Sequence, residues 1–515
     1  MSGISVSGGD ASSSSAAAGG NAGSIVIRRQ SGTLNLTAGS LYAEGGYGAS
    51  AFSGAGGNGG NGGSINVSAA AGLTAMFSGE GTVSAAGGSG EGTSDTSALR
   101  VGGNGGNGGS ITLTAEGGPL TLPASFVSMR ANGGDGGLGN LFAGNAAAGG
   151  VGGNGGSILI EALGGHTADV GSGGLSLYAN GGNGGNAGLC VSPPCPPAVQ
   201  GGAQGNGGSV TLGNGSGTSA LTLTGNINLN ISTGFNGDDS NGTQDFSNIN
   251  LNISTGFNGD DSNGTQDFST NAAAVSLNAG AGGISQTAGS SLVGPSFPVL
   301  QPPNINAVST GTVTLTEAGN SVGVVEGQSG GAFAVSGLRG LGSIVSTNGS
   351  ITLDGFAGET VHAFNPIIAG GASNALSITV DQLEIRPTGS VSGSTINLNT
   401  TLVDNYGTLK PGGTGFVGTL NASGNLTMRD GSRLMIDANG ANLDTVVVAG
   451  LTFFEGPAAA PPGPGVEVNI VAVGQPPTGP HVLIPGNGVS GTVPNLTGNV
   501  VGGSLRFGSL ELLVG

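Results

Sequence analysis

Six carboxylates offer the clearest chance of chemistry in this chain. Asp238, Asp239 and Asp245 sit in the segment NINLNISTGFNGDDSNGTQDFS, Asn226 to Ser247, and the segment is repeated without change from Asn248 to Ser269. Its carboxylates therefore recur as Asp260, Asp261 and Asp267. If each copy forms one winding of a stacked fold, equivalent side chains lie one rung apart, about 4.8 Å. Like charges at that spacing repel unless a cation sits between them or they splay into water. Three readings follow: a weak Ca²⁺ site, a glycosidase carboxylate pair, and a solvated polar loop. GFNGDDSNGTQDF matches neither the EF-hand loop nor the nonapeptide Ca²⁺ repeat.

Other reactive groups are sparse. The two cysteines, Cys190 and Cys195 in CVSPPC, suit a local disulfide in an oxidising compartment, because no second Cys pair or nearby His supports a metal. His166, His362 and His481 have no metal-ligand spacing and read as loop histidines. No G-x-S-x-G, P-loop or His-Glu-x-x-His motif occurs, so the chain reads as no enzyme and needs no cofactor beyond the Ca²⁺ already weighed.

What must position these groups is an extended, glycine-rich framework. Glycine supplies 113 of 515 residues, charged residues make up 7%, and the formal net charge is −18. Nine Arg and a single Lys, Lys410, are too few and too scattered for a phosphate backbone, which excludes nucleic acid as a partner. No apolar run approaches the ~20 residues of a membrane helix, so no transmembrane segment is expected. The N-terminus lacks a basic and then hydrophobic leader, so the chain is expected to be a piece of a longer secreted protein or to begin at an internal start.

Through residue 215 a glycine tract repeatedly ends in Gly-Ser and enters a strand: GSIVI at Gly23, GSINV at Gly63, GSITL at Gly109, GSILI at Gly156 and GSVTL at Gly208. Aliphatic and polar residues alternate there with the period of a half-buried strand. The 40- to 52-residue spacing predicts two windings per repeat. Gly56–Gly63 and Gly102–Gly109 both read GGNGGNGG. Two readings fit: polyglycine-II-like helices stacked on each other, or flexible surface loops. The fold expected is all-β, a right-handed parallel β-helix, divided as 1–215 glycine-rich repeats, 216–402 solenoid body and 403–515 terminal strands. The exact duplication fits this, because a stacked fold takes an extra winding without disruption.

The stretch Tyr406 to Gly450 resembles the last passenger rungs of bacterial autotransporters. Lys410-Pro411-Gly412, Gly431-Ser432-Arg433-Leu434 and Asp444-Thr445-Val446 hold the places of that family's "G-x-L-x-P-G", "G-S-x-L-x-I" and "Asp-x-hydrophobic" steps. AGAGGISQTAG from Ala279 and GTVTLTEAGNSVG from Gly311 are similar to repeats of filamentous-haemagglutinin-type exoproteins. The family's C-terminal barrel and N-terminal secretion domain are not expected within this stretch of sequence. The resemblance implies a secreted or bacterial surface protein, associated with the outer membrane through a part not present, and a monomeric rod. It also implies structural or adhesive work against an extracellular surface or glycan. The alternatives are a carbohydrate-active β-helix enzyme, marked by a groove of carboxylates with Arg or Lys, and an inert matrix element.

Overall fold

A computed structural model describes the chain apart from residues 1–2, 13–15, 51–53, 78–80, 94–97, 123–126, 143–144, 171–173, 189–200, 215–218, 224–225, 232–249, 252–268, 271–273, 287–290, 294–303, 357, 372, 413–415, 440–441, 458–464, 473–478, 485–488, 499–503, 507–509 and 515. The described residues are all-β, without a helix, and their strands pair mostly in parallel. Two compact units divide them. The first comprises 1–282 and 286–304, the second 283–285 and 305–515. The sequence boundaries at 215 and 402 fall inside these units. Parallel pairing passes straight through the second boundary, where Leu402–Asn405 joins Gln382–Ile385 to Asn425–Met428.

The first unit carries three parallel ladders. One runs through Ser24–Arg29, Ser64–Ala69, Ser110–Ala115, Ser157–Ala162 and Ser209–Asn214. A second runs through Leu34–Ala38, Leu73–Phe77, Leu120–Thr121, Thr167–Val170 and Ala220–Leu223. The third includes Leu41–Tyr42, Gly81–Ser84, Val127–Arg130, Leu175–Tyr178 and Asn226–Asn230. Register puts like on like: Ile25, Ile65, Ile111, Ile158 and Val210 form one buried column, and Leu41, Val83, Met129, Leu177 and Leu229 another. Each buried aliphatic contributes roughly 1.5–3 kcal/mol. Ser64 pairs directly with Ser110, 46 residues on, so each repeat holds one winding of three strands rather than the two expected from its length.

Much of the remaining described length of each repeat is glycine tract, and the described tracts are ordered. They form two layers packed backbone to backbone, as the polyglycine-II reading requires. Residues 102–109 show the rule. The first glycine of each triplet donates its N–H to the next tract in its own layer: Gly102 to Ala148 O at 3.1 Å, Gly105 to Val151 O at 2.8 Å and Gly108 to Asn154 O at 2.8 Å. The second donates across to the other layer: Gly103 to Glu91 O at 2.9 Å, Gly106 to Gly88 O at 2.8 Å and Gly109 to Ala85 O at 2.7 Å. The asparagine N–H is taken by the asparagine side chain of the preceding tract, Asn104 N by Asn58 Oδ1 at 2.8 Å and Asn107 N by Asn61 Oδ1 at 2.9 Å. A three-residue turn leaves no internal hydrogen bond, so every donor must find another chain. GGN gives each of its three N–H groups one.

Side chains are excluded at the contacts between tracts. A Cβ on Gly60, Gly106, Gly153 or Gly205 would lie 2.0, 1.9, 2.0 or 1.8 Å from the carbonyl oxygen of Gly20, Gly60, Gly106 or Gly153 respectively. The asparagines face solvent, where a side chain fits.

The second unit has three ladders with shorter connections and no such tracts among its described residues. Along one, Val313, Phe333, Ile351, Leu376, Ile396, Leu420 and Val446 stack in register, all buried. Along the third, Ile344, Ile367, Val391, Leu409, Leu434 and Val468 do the same. Gly479–Ile484, Leu510–Val514 and Ser504–Arg506 form a small antiparallel sheet.

Candidate functional site

The second ladder of this unit carries its most concentrated polar and aromatic chemistry. It runs through Thr360–Ala363, Gln382–Ile385, Leu402–Asn405, Asn425–Met428 and Thr452–Phe454. The inward column Val361, Leu383, Val403, Leu426 and Thr452 is buried and fixes the register. Pleating then turns the next residue of each strand outward. That outward column reads His362, Glu384, Asp404, Thr427, Phe453.

Two residues further along each strand lies a second column: Phe364, Arg386, Tyr406, Arg429, Glu455. Backbone bonds hold its rungs in step, from Phe364 N to Leu341 O at 3.0 Å, Arg386 N to Ala363 O at 3.0 Å, Tyr406 N to Ile385 O at 2.8 Å, Arg429 N to Asn405 O at 2.8 Å and Glu455 N to Met428 O at 2.9 Å. Aromatic and guanidinium groups therefore alternate for four rungs.

The two columns neutralise one another. Glu384 meets His362 Nδ1 at 3.0 Å with one oxygen and Arg386 Nη1 at 2.9 Å with the other. Arg429 grips Asp404 with Nε and with Nη2, the latter at 2.9 Å, and reaches Glu455 at 3.8 Å. This bidentate hydrogen bond to Asp404 raises the Arg429 pKa further above its ordinary value, against the opposing effect of burial. The guanidinium carbons stand 6.0 Å from the Phe364 ring centroid and 5.7 Å from that of Tyr406. Such contacts fix ring orientation at about 0.5–1 kcal/mol each on an exposed face. The rings stay accessible: Phe364 is 38% exposed and Phe453 43%.

A second feature lies beneath the surface. Asp444 is buried and accepts from Asp437 N at 2.8 Å and Gly418 N at 2.5 Å. Burial nonetheless pushes its pKa up to about 7, helped by the nearby Asp437 carboxylate. It ties the Gly418 and Asp437 backbones together, beside the loop that holds Phe416. A cavity of about 430 Å³, lined by Ile368, Ser392, Lys410, Phe416 and Met435 among others, opens on the outer face of the third ladder.

The sequence also singled out other residues. Asp238, Asp239, Asp245, Asp260, Asp261 and Asp267 lie outside the described residues, as do Cys190 and Cys195. Among the described residues no group of three or more His, Cys, Asp or Glu could hold a metal ion. His166 is a turn residue, its N–H donated to Leu163 O at 3.4 Å. His362 and His481 are strand residues, not loop residues. The two columns escaped sequence reading because the rungs are unevenly spaced. Aligning VHAF, LEIR, VDNY, LTMR and TFFE on their inward residues makes them visible. No protein-family model and no curated protein matches this sequence.

Proposed function

We propose that the chain is a secreted or cell-surface structural and adhesive protein, a right-handed parallel β-helix like the passenger segments of bacterial exoproteins. The observation that carries this reading is the outer face of the second unit. There, aromatic and guanidinium groups alternate over four consecutive rungs beside a column of polar side chains, on a backbone that is paired above and below. A ligand meeting such a face gains many equivalent contacts spread along it, which is how adhesion differs from the single deep pocket of most small-molecule sites. The saturated backbone of the glycine unit supports the structural half of the proposal. Binding of the purified chain to glycan arrays and to mineral and cell surfaces tests it. Retention on at least one surface is expected, and absence from all of them removes the adhesive role.

The second reading is carbohydrate cleavage at Glu384, where a carboxylate stands between His362 and Arg386. It requires shortened products when polysaccharides are incubated with the chain, and their loss in Glu384→Gln.

A further inference from the structure

We infer that the twin columns of the second unit bind a linear, uncharged, β-1,4-linked polysaccharide lying across the strands, along the direction in which the rungs stack. The inference rests on the adhesive reading above and names its ligand class and contact residues.

Three observations select this ligand. The first is spacing. Phe364 and Tyr406 lie two rungs apart in one column, and Phe453 lies two rungs beyond Tyr406 in the adjacent column. Two rungs are about 9.6 Å. In an extended β-1,4-linked chain each sugar advances by close to one strand spacing, and alternate sugars present the same face. A ring on every second rung therefore meets equivalent sugar faces, each stacked through its axial C–H groups. The second is charge. Arg386 and Arg429, the guanidinium groups in the columns, are held by Glu384 and by Asp404 with Glu455. A polyanion would have to break those pairs and meet three carboxylates, whereas hydroxyl groups can hydrogen-bond to them as they stand. The third is preorganisation. Phe364 and Tyr406 are braced by guanidinium contacts and the rungs by backbone bonds, so little ordering is left to oppose binding.

The test uses the full chain and soluble oligosaccharides of defined length, with calorimetry as the readout. Cellohexaose and hexa-N-acetylchitohexaose are the neutral probes and hexagalacturonate the anionic one. Affinity for the neutral probes is expected to rise from two sugars to five or six and to be little affected by salt. Tyr406→Ala and Phe364→Ala are each expected to weaken it roughly tenfold. Tyr47→Ala, which removes an exposed ring in the first unit, should leave it unchanged. Circular dichroism melting of each variant identifies loss of fold, and Phe364→Leu and Tyr406→Leu keep the apolar bulk if an alanine variant melts early. Preference for hexagalacturonate, lack of length dependence, or equal affinity in folded ring variants overturns the inference. If array binding persists in a Phe364→Ala/Tyr406→Ala/Phe453→Ala triple variant, the columns are not the site while the adhesive reading stands. If the parent chain binds no surface at all, both fall.

Discussion

The asparagine bonds that join successive windings of the glycine unit span 40 to 52 residues, from Asn21–Asn61 to Asn154–Asn206. In the second unit, the bonds Thr379–Asn399 and Asn425–Leu451 join successive windings over only 20 and 26 residues. Both units stack three parallel ladders over aliphatic columns, so the extra length is not core. It is largely a pair of glycine tracts per winding, whose contacts are made by backbone bonds and by the asparagine side chains. In the second unit the outer face is instead built by side chains, which leaves it free to carry rings and charges. The comparison separates two ways of covering a sheet stack. A backbone lattice satisfies the packed glycine donors but tolerates almost no side chain at those glycines. A side-chain face satisfies fewer groups and can be varied residue by residue.

The contrast breaks most sharply at the tract contacts. Gly106→Ala would place a methyl group 1.9 Å from the Gly60 carbonyl oxygen, and backbone must move on both sides. A loss of more than about 4 kcal/mol is expected, enough to melt the first unit in differential scanning calorimetry. Gly9→Ala is the matched control, because nothing lies within 4 Å of the added carbon. There, reduced freedom of the unfolded chain should leave stability unchanged or raise it by about 0.5 kcal/mol. Equal effects at the two positions would contradict the packed lattice.

In the second unit the largest single effect should depend on pH. Asp444 has its folded pKa raised from 3.8 to about 7. The folded state therefore holds this proton more tightly than the unfolded chain. The resulting stability is fully present below about pH 4, declines as pH rises, and is gone above about pH 7, a change of at most about 4 kcal/mol. Asp444→Asn should match the parent at pH 4 to within about 1 kcal/mol, because the amide, like the protonated carboxyl, accepts only one of the two backbone N–H groups well. It should also be nearly flat between pH 4 and 8. Urea titrations at several pH values check both points, and an unchanged slope in the variant would assign the dependence elsewhere.

Below that lies ordinary core. Leu420 is fully buried between Ile396 and Val446 on adjacent rungs. Leu420→Ala should cost about 3 kcal/mol, visible as a shifted urea midpoint with an unchanged slope. Its effect should be confined to the second unit's transition, as that of Gly106→Ala should be to the first.

How far these features were legible follows from which interactions fix them. The strands were readable because alternation of Ile, Val and Leu with Ser, Thr and Asn is local, and GSIVI, GSINV, GSITL, GSILI and GSVTL all pair in register. The state of the glycine tracts was not, since GGN is compatible with a loop until a neighbouring tract supplies acceptors. The expected two windings per repeat fail for the same reason: the tracts add to the 40- to 52-residue spacing without adding a winding. The outer columns were hidden by connections that vary from rung to rung, so Phe364, Arg386, Tyr406 and Arg429 become neighbours only once pairing is known. Carboxylates drew attention in the duplicated segment because they recur identically. Those in the columns recur as Glu384, Asp404 and Glu455, in different types and on both columns.

The finest test of the comparison is the asparagine of the triplet. Asn107 accepts Asn154 N at 2.8 Å through Oδ1, and its own N–H goes to Asn61. Asn107→Ala keeps the backbone and fits the exposed position, so it removes one side-chain acceptor and nothing else. The freed N–H of Asn154 lies near solvent, where water replaces the lost partner, and the expected cost is about 1 kcal/mol. Asn107→Asp keeps the acceptor and should restore most of that loss, as Asp135 already does for Asn183 N at 2.7 Å. Amide exchange at residue 154 reads the bond directly. It should accelerate in Asn107→Ala and not in Asn107→Asp, while Gly106, whose N–H goes to the other layer, stays protected in both. If Gly106 exchanges as fast as Asn154, the triplet does not divide its donors among three partners, and the glycine unit is held together by its strands alone.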